Sequence, residues 1–309
     1  MAGLRALALR GLVAVGGARF ARARQHGRAA ILAYHGVDPV QDAVLNADGF
    51  QVPPDVFVAQ LDHLARHYQI CPLAQIVRGL AGEQPLPDRA VALTFDDGYA
   101  NNAEVVAPLL RARGLPATFF LTTGFLDGTH APWWYRMRAV TPPPEQETLA
   151  ARLKSLSNEQ REAEVRALET AAPGGPPRVS YPFMTWDQAR ALARQGFELA
   201  AHTVSHPSLA HESEERMAVE IADSVARVAR ETGCAPLVFS YPYGRPADLT
   251  DAGCAAVRAS GCRAAVTTTE GWNVPGGDLC RLRRLNVTGH HRGAAFTALV
   301  SGLRGWLPS

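Results

Sequence analysis

Two adjacent carboxylates, Asp96-Asp97, directly follow the apolar run Ala90-Val91-Ala92-Leu93-Thr94-Phe95 and precede Gly98-Tyr99. An apolar run of that length, bounded by a turn signal, reads as a buried strand, so both acids sit at the rim of a sheet. Like charges that close oppose each other's ionisation unless a cation, a metal or an arginine, stands between them. Metal ligands occur further on. His202-Thr203-Val204-Ser205-His206 follows the apolar stretch 197–201 and ends at Pro207. On a helix, imidazoles four apart would share a face, as in HExxH metalloproteases. Here no Glu follows the first His, a strand leads in and a proline leads out, so a loop presenting both rings suits the context. A His pair alone is more often structural or superficial. With Asp97 it makes an N,N,O set of the open type that leaves room for water or substrate.

These residues need elements to carry them. A helical pattern, a glycine and a short apolar run recur: Gly114 before 115–121, Gly196 before 197–201, Gly233 before 237–239 and Gly261 before 263–267. A glycine just past a helix end supplies the left-handed cap, and the run behind it is a strand. Such alternation predicts parallel β-α units. Residues 29–34 read as another strand, 55–67 as a helix opened by Pro53-Pro54, and 69–71 as a further short strand. His35, Asp96-Asp97, His202 and Tyr241-Pro242-Tyr243-Gly244 then all lie just past the C-terminal ends of predicted strands, the face on which β/α barrels build active sites.

Residues 127–182 break the rhythm with Trp133-Trp134-Tyr135, a proline cluster at 142–144, a charged helical stretch at 145–170 and a Pro/Gly-rich run at 173–177. They read as a helical insertion between two barrel units. Local core packing is the expected role of the Trp pair, with a substrate cleft as the other option. After Val287 the pattern is too weak to assign.

The 309-residue chain carries a formal charge of +2, too small to argue for nucleic acid. Five cysteines without a CxxC pair suit buried thiols in a reducing compartment. Residues 1–28 hold Arg5, Arg10, Arg19, Arg22, Arg24 and Arg28 and no acid. Arg10 interrupts the apolar core that a signal peptide would need. A basic amphipathic segment on an anionic membrane surface fits this composition. The expectation is a cytoplasmic, surface-associated protein, with export as the alternative.

The set Thr94-Phe95-Asp96-Asp97-Gly98, His202-Thr203-Val204-Ser205-His206 and Tyr241-Pro242-Tyr243-Gly244 resembles the polysaccharide deacetylase family, the NodB-homology group or carbohydrate esterase family 4. The opening Ile31-Leu32-Ala33-Tyr34-His35-Gly36-Val37 resembles the branch containing poly-N-acetylglucosamine deacetylases. The resemblance covers roughly residues 29–290. It implies a distorted (β/α)7 barrel within one domain spanning 29–309, and a hydrolase that removes acetyl groups, N-acetyl first, from an acetylated glycan. It also implies a divalent metal, zinc first, held by Asp97, His202 and His206. Asp96 would be the general base, and the Tyr243 backbone N–H would stabilise the oxyanion.

Two positions depart from the family pattern. The late Leu-x-His acid has no clean copy, because His290-His291 stand at the wrong offset; His35 is the preferred substitute, with a core histidine as its ordinary reading. The arginine that relatives place two residues before the motif proline is Ser240 here, and Arg284 is the residue that could reach the base from another strand. In isolation Tyr241–Gly244 would be a plain Pro-Gly turn. The departures leave open a glycan-binding pseudoenzyme, and the superfamily leaves open an amidase acting on a small cyclic amide.

Overall fold

The computed structural model describes residues 11–13, 15–42, 45–172 and 181–303. Seven parallel strands form its centre: β1 (Ala30–Tyr34), β2 (Ala90–Phe95), β3 (Thr118–Leu121), β4 (Glu198–Ala201), β5 (Val238–Ser240), β6 (Ala264–Glu270) and β7 (Leu282–Asn286). Each pairs with the next, and β7 returns to β1 with Leu285 opposite Leu32, so the sheet closes. This is the expected (β/α)7 barrel. Its main irregularity is a register shift between β6 and β7 at Leu282 and Arg284. The short strand Gln69–Ile70 adds to the start of β2, as read from 69–71.

The glycine signals mark real helix ends. Gly114, Gly196, Gly233 and Gly261 have φ of 62°, 86°, 74° and 91°. A side chain there would be strained, which is why glycine punctuates these joints. Helix Pro54–His67 starts with proline in its first turn, where the missing N–H costs nothing.

Alternation along the strands carries the chain from core to site. Leu32, Tyr34, Leu93, Phe95 and Phe119 face one apolar cluster that includes the helix residues Phe57, Leu61, Ile221 and Val228. Ile31, Ala92, Phe120, Ala200, Val238 and Leu282 face a second cluster, onto which helix Leu73–Leu80 packs. Successive side chains on a strand point to opposite faces. Continuing two residues at a time, the second face runs from Ala92 to Thr94 and Asp96, from Ala200 to His202, from Val238 to Ser240 and from Leu282 to Arg284. Polar chemistry is therefore stacked above an apolar floor.

Between β3 and β4 lie helices Trp133–Val140, Pro143–Lys154 and Asn158–Ala171, with their own small core of Trp133, Met137, Leu153 and Val165. The run at 173–177 lies outside the described residues. The tail contains a helix, Ala294–Ser301, that the sequence pattern missed because it is apolar on nearly all sides. Helix Gly17–Ala23 docks against it, burying Ala18 and Ala21. Residues 1–10 lie outside the described residues. No helix among the described residues is long and apolar enough to cross a membrane. All five cysteines are free; four are buried, but Cys234 is exposed, because it sits in the turn behind the Gly233 cap.

Candidate metal centre and active site

Asp97, Thr203, His206 and Tyr243 have φ of 73°, 65°, 59° and 58°, four of the five left-handed non-glycine residues among the described ones. Each such residue costs about 1–3 kcal/mol and persists only where its surroundings impose it. Their gathering at one barrel mouth marks the place where backbone strain is tolerated for a purpose.

Asp97 is buried between two buried imidazoles. Its Oδ1 lies 3.5 Å from His202 Nε2 and 3.4 Å from His206 Nε2. These separations are long for charge-assisted hydrogen bonds. They match the edge of a tetrahedron whose ligand bonds are about 2.0–2.1 Å, which is about 3.3–3.4 Å. Among the described residues Asp97 Oδ1 has no hydrogen-bond donor although it is buried, so it has the character of a ligand atom. The Ser240 carbonyl lies 2.8 Å from His202 Nδ1. Donation by Nδ1–H to it leaves the Nε2 lone pair pointing into the site, the usual arrangement behind a metal-ligating histidine. The donor set fits a divalent metal.

Burial alone would raise the Asp97 carboxyl, yet His202 and His206 hold it well below the usual carboxylate range. Burial also opposes charge on both rings. Asp97 and Asp96 outweigh it at His202, which is raised, whereas at His206 burial prevails and the ring is lowered.

Asp96 has a different partner. Arg284, fully buried, grips it with both arms, Nη1 to Oδ1 at 2.8 Å and Nη2 to Oδ2 at 2.7 Å. The remaining guanidinium protons go to the Thr267 carbonyl (2.7 Å), Thr94 Oγ1 (3.2 Å) and Ser240 Oγ (3.2 Å). Every donor of this buried cation has an acceptor. Burial pushes the Asp96 carboxyl up, but Arg284 and then His202 bring it below its ordinary value. The cation absent from position 240 thus arrives from β7, and Ser240 becomes one of its acceptors.

Above these groups opens a cavity of about 310 Å³, lined in part by His35, Asp96, Asp97, Trp134, His202 and Tyr243. His35 stacks on Phe50 with ring centres 4.2 Å apart, and its buried Nδ1 has no partner among the described residues. Tyr243 packs edge-on against His206 at 4.9 Å, and Trp134 does the same from another side at 5.0 Å. The two tryptophans differ in what else they touch. Both line the cavity, but Trp133 also anchors the core of the inserted helices and its Nε1–H donates to Tyr243 Oη at 2.7 Å, whereas Trp134 packs against His206.

One supporting residue escaped the sequence reading. Glu220, buried in helix Glu214–Thr232, accepts from the backbone N–H of Val204 and Ser205 at 2.8 and 2.9 Å and from Ser205 Oγ at 2.7 Å. It ties down the loop between the two histidines. The signal was available: Glu220 stands beside Met217, Ile221 and Ser224 on the buried face of an amphipathic helix, where a lone carboxylate needs polar partners.

The polysaccharide deacetylase family model matches residues 83–265, more than half of the chain. The chain belongs to the polysaccharide deacetylase family. It is accordingly a hydrolase of carbon–nitrogen bonds other than peptides, and its family implies an acetylated polysaccharide substrate. YxkH of Bacillus subtilis (strain 168) is 21% identical over 275 residues, covering 89% of this chain and 76% of that protein. The poly-beta-1,6-N-acetyl-D-glucosamine N-deacetylase of Escherichia coli (strain K12) is 31% identical over 137 residues, which is 44% of this chain but 15% of that longer protein. Among solved structures, the Streptococcus pyogenes deacetylase PplD superposes with a TM-score of 0.63 at 20% identity, over 91% of this chain and 99% of that one. IcaB from Ammonifex degensii gives 0.63 at 20%, over 89% and 97%. At these identities the two structures speak for the barrel fold.

Proposed function

We propose that this deacetylase removes N-acetyl groups from an N-acetylhexosamine polysaccharide, with Asp97, His202 and His206 holding a divalent metal and Asp96 serving as general base. The observation that carries this reading is the division of labour between adjacent acids: Asp97 faces two imidazoles, and Asp96 is clamped by Arg284. The printed name of the Escherichia coli relative supports the substrate class.

Bound at this N,N,O set, zinc would acidify a water and polarise the acetyl carbonyl. Asp96, ionised and oriented by Arg284, takes the proton from the attacking water. The Tyr243 N–H, presented by a left-handed backbone that Trp133 braces through the phenol, donates to the developing oxyanion. The phenol itself stays protonated, since burial raises it to about 12. His35, on the cavity wall with a free Nδ1, gives the departing amine its proton.

Acetate release from acetylated glucosamine oligomers, measured before and after chelation and metal return, tests the reading. Asp96→Asn should retain metal and lose turnover. Loss of metal in that variant would mean that the two acids have exchanged roles.

A further inference from the structure

The outer wall of the cavity has a polarity that deacetylation does not use. Arg138 and Lys154 reach it from the inserted helices, and Arg245 reaches it from the loop after β5. Lys154 ends helix Pro143–Lys154, half-buried, with its Nζ 5.4 Å from the centre of the Tyr243 ring. Among the described residues no carboxylate pairs with its ammonium. Arg138 pairs with Asp48 through Nη2 at 3.2 Å, while its buried Nη1 has no partner among the described residues. Asp248 is nearby but engaged, accepting from Ser208 Oγ at 2.7 Å and from the Arg245 N–H at 3.0 Å. Gln146 donates to the carbonyls of Arg138 and Thr141, pinning the two helices that carry these cations.

A desolvated ammonium without a counter-ion is costly, and so is a buried guanidinium N–H without an acceptor. Burial, with Arg245 second, lowers the Lys154 ammonium from its ordinary value, against the opposing pull of Asp48 and Asp248 at longer range. A neutral sugar hydroxyl relieves this only in part, whereas an anion relieves both groups together. The inner acids cannot serve, since Asp96 is committed to Arg284 and Asp97 to the imidazoles. We propose that Lys154, Arg245 and the free arm of Arg138 form a subsite for an anionic substituent, a phosphate or a carboxylate, carried by the glycan beside its acetylated sugar. This rests on the deacetylase reading and narrows its substrate to an acidic polysaccharide.

The test reads binding, so that it does not depend on turnover. Metal-loaded Asp96→Asn protein is titrated calorimetrically with N-acetylglucosamine 1-phosphate, N-acetylmuramic acid and neutral N-acetylglucosamine. At least one anionic sugar should bind about tenfold or more tightly than the neutral one, the worth of a charge-assisted contact, and raised salt should shrink the gap. Preference for the phosphate or for the carboxylate sugar identifies the anion. Adding Lys154→Met with Arg245→Gln should abolish the preference. Equal binding of all three, or no binding by either anionic sugar, overturns the subsite. A preference that survives the double substitution overturns it too, because the anion would then be sitting on the metal. Absence of acetate release from every glycan would instead refute the deacetylase reading.

Discussion

Replacing Arg284 with Met removes a buried cation whose every donor is used, and leaves the Asp96 carboxylate buried without its counter-charge. Breaking a buried pair from one side costs about 3–5 kcal/mol, because the remaining charge stays desolvated. In the native protein Asp96 is held below its ordinary value, so it contributes stability above its unfolded pKa and loses it as pH falls through the folded one. Without Arg284, burial is opposed only by His202 and His35, so the carboxyl moves upward and more of Asp96 is protonated at a given pH. The base is then lost for a penalty of roughly 10²–10⁴-fold in kcat/KM, and the acid limb of the pH–rate profile moves to higher pH. Urea unfolding gives the stability change and acetate release against pH gives the profile. Arg284→Lys keeps the charge but not the two-armed grip, so it should recover part of both. The double variant Asp96→Asn/Arg284→Met removes both charges and should be more stable than Arg284→Met alone. Wild-type kcat/KM in Arg284→Met, or additive stability losses in the double variant, would mean that Asp96 does not depend on Arg284.

Trp133→Phe deletes the 2.7 Å hydrogen bond to Tyr243 and keeps most of the packing; it should cost about 1 kcal/mol of stability and lower kcat more than it raises KM, as steady-state kinetics would show. Glu220→Gln loosens the loop between His202 and His206; metal affinity should weaken by about 10–100-fold in a chelator competition. Burial, followed by His67, Arg22 and Arg66, lowers His63 from 6.5 to about 4. His63 is therefore neutral in the fold but protonates in the unfolded chain, and its contribution is present above about pH 6.5 and lost as pH falls toward about 4. Urea midpoints at pH 7 and pH 5 should differ less in His63→Gln than in the native protein.

The barrel was legible because its grammar is local. Apolar runs such as 90–95 and 197–201 each end in polar residues, and Gly114, Gly196, Gly233 and Gly261 punctuate the helices before four strands. Their position just past the C-terminal ends of parallel strands then placed Asp96-Asp97 and His202 at one rim. Contacts across long stretches of chain were harder to read. Arg284 was named as a partner for Asp96 from its strand alone, but its five-donor grip depends on Thr94, Ser240 and Thr267 from three other strands. Trp133 and Tyr243 stand 110 residues apart, and no local pattern links them. The helix Ala294–Ser301 lacked periodicity because it buries nearly its whole surface. Glu220 passed as one more charge on a helix, although its place beside Met217, Ile221 and Ser224 put it on the apolar face.

Anomalous diffraction from crystals of the metal-loaded protein, recorded at the zinc edge and those of neighbouring metals, addresses the metal centre directly. A single peak should lie about 2.0–2.2 Å from Asp97 Oδ1, His202 Nε2 and His206 Nε2, with Asp96 still on Arg284 and outside the coordination sphere. A peak elsewhere, or one ligated by Asp96 in place of Asp97, would contradict that assignment of ligands.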